Sequence, residues 1–310
     1  SGHLEYYTGT HWADVIVKES APLGGRAVNI GGTPDGPTQS NVMDYVTIAS
    51  TGNAVDFGDI LANPNMDAAA SGSTTRGVFA GGRNPGTTNT IEYFEFAILS
   101  NSIDFGDLST ARFELGSCSD STRALFAGGR NPTTQSSIEK ITIASTGSTA
   151  SFGSLSGSRR CIAGLASPTR GLFGGGYSPI VDTIDYVTIQ SDGTAQDFGN
   201  LSVARGFAGS CSSPIRGLWA SGLTPSDSDV IDYVTISSTG DAQDFGDLTV
   251  ARSQLAGASS STRGLFLGGN PDRTSIEFVT IASTGNAADF GDLTVGKSRN
   301  TACSNGHGGL

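Results

Sequence analysis

Carboxylates recur at fixed intervals along the 310-residue chain, and grouped carboxylates are what metal binding or acid–base catalysis would need. One series, Asp44, Glu92, Glu139, Asp185, Asp232 and Glu277, opens a strand-like segment in each copy. Another, Asp56, Asp104, Asp197, Asp244 and Asp289, immediately precedes a phenylalanine. Two basic series run beside them: Arg26, Arg76, Arg123, Arg170, Arg216 and Arg263, and then Arg112, Arg159, Arg205 and Arg252 with Lys297 as a variant. Catalysis requires a local, asymmetric cluster with tuned pKa values, whereas these groups are distributed over the whole chain. Ser151 and Ser154 even replace both acids of one "DFGD" copy. The series therefore read as turn caps and as salt bridges between neighbouring strands or repeats. An Asp-x-x-Asp pair also falls short of the about six to eight oxygen ligands of a calcium loop, so no metal or other cofactor is assigned.

Nucleophilic chemistry has less support. His3, His11 and His307 lie in no recognisable motif, and no G-x-S-x-G elbow, H-E-x-x-H helix or Walker loop is present, so no catalytic residue is assigned. The four cysteines lack the close pairing of zinc sites. Cys118, Cys211 and Cys303 each follow the basic residue of an "AR" or "GK" pair by six positions, where other copies carry Ala or Leu, and so read as small buried thiols. A net charge of −11 removes the electrostatic attraction that draws proteins to nucleic acid, and no apolar run is long enough for a membrane-spanning helix.

These groups must be positioned by a repeat. The phenylalanine of "DFGD" and its variants falls at 57, 105, 152, 198, 245 and 290, spacings of 45 to 48 residues, which is the length of one four-stranded propeller blade. The unit from Ala251 to Leu293 divides at its turn residues into "SQLAGAS", "RGLFLGG", "SIEFVTIAS" and "AADFGDL". Small residues suit the first strand to a crowded axis, and large apolar residues suit the second and third to packing between blades. The chain starts with a second-type strand, "RAVNIGG", and ends with an orphan first-type strand, "SRNTACSN". The expected fold is an all-β, six-bladed propeller of four-stranded antiparallel blades over residues 22–310, closed by the C-terminal strand joining the N-terminal blade. Residues 1–21, with "LEYYTGTHWADVIV", read as a hairpin or attachment arm.

A strand ending in double glycine, a variable loop and an acidic-aromatic strand such as "IDYVTI" together resemble kelch-type propellers. The position of "DFGDL" departs from the usual kelch pattern, where many members carry tryptophan. Taken with "EYYTGTHWADVIV", copies of "IDYVTIASTGNAxDFGDLTVAR" and "TRGLFAGG" resemble propeller-bearing structural proteins of marine bacteriophages, notably tail-associated proteins of cyanophages. That resemblance implies a virion protein, with other virion proteins as partners and self-association through the arm by analogy with phage fibres. Scaffold segments repeat while the loops after the double glycines vary, and loops on a rigid scaffold commonly carry recognition. Arg83, Asn84, Arg130, Asn131, Tyr177 and Arg273 are the expected contacts of that face with a host-surface glycan or protein. The alternative is a purely structural virion role; an enzyme built on the propeller has the least support.

Overall fold

The computed structural model describes residues 5–7, 12–14, 25–34, 39–61, 66–83, 85–271 and 273–310. Six four-stranded antiparallel blades surround a central axis, as the repeat implies. Five are simple meanders, for example Gly116–Ser119, Arg123–Ala127, Ser137–Thr142 and Ala150–Ser154 in blade three. Blade one is composite: Thr301–Ser304 is its innermost strand and pairs antiparallel with Arg26–Ile30, Thr301 opposite Ile30 and Ser304 opposite Ala27. Before the propeller, Glu5–Tyr7 pairs antiparallel with Trp12–Asp14.

Each repeated residue type has a lateral task. In the inner strands, serine hydroxyls donate across the axis to the preceding blade, as from Ser119 to the Gly72 carbonyl at 2.8 Å and from Ser304 to the Ser259 carbonyl at 2.6 Å. Larger side chains there would hold the strands apart. Cys118, Cys211 and Cys303 are free and buried, and loss of solvation pushes their thiols far above the ordinary range. Trp219 is fully buried, with its indole N–H donating to the Ala163 carbonyl, so it belongs to the core.

The first arginine series links neighbours on the outer side. Arg76 stacks on Tyr93 of its own blade at 4.2 Å and donates to the Ile143 carbonyl of the next. The donation repeats around the ring until Arg263 reaches the Ile48 carbonyl in blade one, while blade three carries Lys140 in place of the stacked aromatic. The second series forms the salt bridges expected between neighbouring segments, and it forms them in the interior. Arg112–Glu139, Arg159–Asp185, Arg205–Asp232, Arg252–Glu277 and Lys297–Asp44 are buried ion pairs at 2.6–3.0 Å. Burial pushes each guanidinium pKa down while the facing acid partly restores it. The acid also accepts the backbone N–H of the connection arriving from the previous blade, as Asp232 does from Ser202 at 2.9 Å. These carboxylates are thereby committed to joining blades.

All six landmark phenylalanines are buried, and outside blade three, where Lys140 stands instead, each meets the third-strand aromatic edge-on, as Tyr233–Phe245 does at 5.9 Å. Double glycines turn the second strand where the next connection passes underneath. A Cβ on Gly128, whose φ is +63°, would meet the Arg159 carbonyl oxygen at 2.5 Å. Blade five differs from the sequence reading: "LTPSDSDV" is not a loose loop, because its second and third strands extend to Arg216–Thr224 and Ser226–Thr235. A register shift after Ala220 lets Gly222, Leu223 and Thr224 continue the ladder with Ser228, Asp227 and Ser226.

Candidate functional site

The connections between blades and the loops after the double glycines meet on one face. Met66 bridges Arg83, Phe113 bridges Arg130, Arg160 bridges Tyr177, Gly206 bridges Leu223 and Ser253 bridges Asn270. Ser298 pairs with Thr33 in the composite blade. The next residue of each connection stands at the mouth of the axis: Asp67, Glu114, Cys161, Phe207, Gln254 and Arg299. Their backbones form a closed circle. Glu114 N–H donates to Asp67, Cys161 to Glu114, Phe207 to Cys161, Gln254 to Phe207, Arg299 to Gln254 and Asp67 to Arg299, all at 2.8–3.0 Å.

All six have φ between 54° and 60°. That left-handed conformation costs a residue with a Cβ about 1–2 kcal/mol, and glycine is its usual occupant. A chain with 44 glycines places none at these six positions. Six different side chains stand there instead.

From Arg299 to Phe207 the side chains form one continuous arc. Arg299 contacts Asp67 at 3.0 Å, and Asp67 contacts Arg83 at 3.3 Å. Phe113 lies between Arg83 and Arg130, whose guanidinium carbons are 4.7 and 4.9 Å from its ring centre. Arg130 contacts Glu114 at 3.6 Å, and Glu114 also pairs with Arg160. Arg160 stacks on Tyr177 at 4.9 Å, and Tyr177 meets Phe207 at 5.5 Å between ring centres. Burial raises the Asp67 pKa against the lowering effect of Arg299, and the Glu114 charge raises it further. In the other half of the mouth the described residues Gln254, Ser253, Asn270, Ser298 and Thr33 are uncharged.

Three of the residues expected from sequence, Arg83, Arg130 and Tyr177, thus belong to one arc. Asn131 does not; its side-chain amide donates to the Ala111 carbonyl at 2.9 Å and fastens the connection below. Arg273 lies in blade six, where its charge is felt by buried Arg252. Asn84 falls outside the described residues. Sequence reasoning missed Asp67, Phe113, Glu114, Arg160, Phe207 and Arg299. For Glu114, Phe207 and Arg299 the available signal was the position two residues after the basic member of an "AR" or "GK" pair, which differs from copy to copy; Asp67 follows no such pair.

Immediately below the circle, Ala68, Leu115, Ile162, Ala208, Leu255 and Asn300 line an axial cavity of about 160 Å³. The C-terminal segment crosses its far end. His307 donates from Nε2 to the Gly72 carbonyl at 2.8 Å, while its Nδ1 accepts the Gly309 N–H at 3.1 Å. These two bonds select the neutral imidazole, and burial lowers its pKa. A Cβ on Gly309 would stand 1.9 Å from the Ser119 carbonyl oxygen. Only glycine allows that approach. Among the described residues no group of three or more His, Cys, Asp or Glu is placed to hold a metal ion, and no helix is long and apolar enough to cross a membrane.

In comparisons with known proteins, no family model matches the chain, and no curated protein sequence matches it.

Proposed function

We propose that this propeller is a noncatalytic recognition module of a phage particle, of kelch-like construction, which contacts the host surface through the face that carries the mouth. The observation supporting recognition at this face is the left-handed circle. Six residues keep their side chains at positions where glycine would be easier, and strain retained against a simple remedy argues for a task performed by those side chains. The phage setting rests on the sequence resemblance. Asp67 and Glu114, the acids of the circle at the mouth, are each held by two arginines, an arrangement suited to fixing a surface rather than to moving protons.

The test is binding of fluorescently labelled propeller to a panel of intact marine cyanobacteria, beside a folded variant carrying Glu114→Gly, Phe207→Gly and Gln254→Gly. Selective binding by the parent and its loss in the variant is the expected result. Equal binding by both removes the mouth from the function.

A second reading, docking onto other virion proteins, has its own observation at the outer edge of blade two. Ile98 and Leu99 replace the Ser-Thr or Ser-Asp of the other blades and, with Ile103, are more than half exposed. Ile98→Ser with Leu99→Thr should abolish particle incorporation if that reading holds, and leave cell binding by the isolated propeller unchanged.

A further inference from the structure

Neutralising two buried carboxylates takes two cations, and the arc supplies four. Asp67 and Glu114 face Arg83, Arg130, Arg160 and Arg299 in a protein whose overall charge is −11. The surplus is local and is not distributed evenly among the arginines. Arg160 and Arg299 make hydrogen-bonded ion pairs with the acids. Arg83 and Arg130 approach them only at 3.3 and 3.6 Å, and among the described residues neither guanidinium donates a hydrogen bond. Both are nonetheless fixed in place by stacking on the Phe113 ring. A stacked, partly exposed arginine with unused donors is prepared for a planar or tetrahedral anion, because the ordering cost of its side chain has already been met.

We propose that the arc is a binding site for an acidic saccharide, with the carboxylate or sulfate group held by Arg83 and Arg130 and the sugar lying toward Tyr177 and Phe207. The aromatic pair is half-buried at the end of the same arc, and an exposed aromatic face beside a cation suits a sugar ring with a charged substituent. The clustering of four arginines in this arc gives the ligand one orientation, with its anionic end toward blades two and three. This inference rests on the recognition reading above and names its ligand class.

Calorimetric titration of the purified protein at moderate salt tests it, with three probes: an oligogalacturonate, a sulfated oligosaccharide and a neutral malto-oligosaccharide. The acidic probes separate carboxylate from sulfate; one or both should bind, and the neutral one should not. Arg83→Gln combined with Arg130→Gln should weaken binding at least tenfold, Arg83→Lys with Arg130→Lys should restore part of it, and Arg273→Gln on the same face should leave it unchanged. Unaltered thermal unfolding of the glutamine variant shows that the loss is not a folding defect. The proposal is overturned if neither acidic probe binds, if the glutamine variant binds as well as the parent, or if Arg273→Gln costs as much. Cell binding that survives while acidic saccharides fail overturns this inference and leaves the recognition reading standing; saccharide binding without cell binding does the reverse.

Discussion

The two ends of the axial cavity are made by the same six inner strands, yet they follow opposite rules. At the mouth, six equivalent positions share one strained backbone and carry six different side chains, closed into a circle by their own peptide groups. At the far end, repeated Ser-Gly-type positions are nearly alike and are covered by one unrepeated segment ending in His307, Gly308 and Gly309. Variation is confined to where it costs the scaffold no lateral contact. The mouth can be rewritten blade by blade, whereas the far end tolerates a single solution.

The most severe way to break this contrast is to remove Ser298 to Leu310, which takes both the closing strand and the cover. Unfolding should move at least ~10 °C lower by calorimetry, and an unchanged midpoint would contradict closure through the composite blade. The joints between blades come next. Arg205→Met leaves Asp232 buried without its cation and should cost about 3–5 kcal/mol in urea unfolding, with much of that recovered when Asp232→Leu is added.

Smaller changes address each end separately. Gly309→Ala should lift the cover from Ser119 and destabilise by about 1–3 kcal/mol, and the His307 ring resonances should then titrate as in an exposed histidine. In the parent protein His307 has a pKa lowered by burial, so the unfolded chain takes up the proton first. Stability should therefore fall as pH drops below about 6.5, and the loss should level off below the folded-state pKa. Asp120 does not share that window; burial would raise its pKa but is outweighed by hydrogen bonds from Gln190, Arg123 and Thr122, which hold it below the usual carboxylate range. His307→Gln should flatten the profile below about pH 6.5. The smallest effect has the opposite sign: Gln254→Gly relieves a left-handed residue and should stabilise by up to about 1 kcal/mol. A loss there would mean that Gln254 supports the scaffold.

The blade was legible because its signals are local and repeated: Phe57 to Phe290 mark the period, and the missing first-type strand before Arg26 reveals its counterpart at Thr301–Ser304. The arc was only half legible. Arg83, Arg130 and Tyr177 stood out as loop residues, but Asp67, Phe113 and Glu114 belong to connections from other repeats, and only the lateral meeting of connection and loop brings them together. His307 carried no sequence signal, because its environment comes from strands 188 and 235 residues away. Extension of the blade-five hairpin was hidden by Pro225 and its polar neighbours, which read locally as a turn.

The composite blade also has a mechanical meaning. Arg26–Ile30, the first strand of the propeller reached from the N-terminal side, is an interior strand held by Thr301–Ser304 on one flank and Val42–Thr47 on the other. Tension arriving through the residues before Gly25 would load both flanks in shear, so that rows of hydrogen bonds must fail together rather than unzip from an edge. A propeller tethered from that side would resist drag at the very seam where its circle is joined.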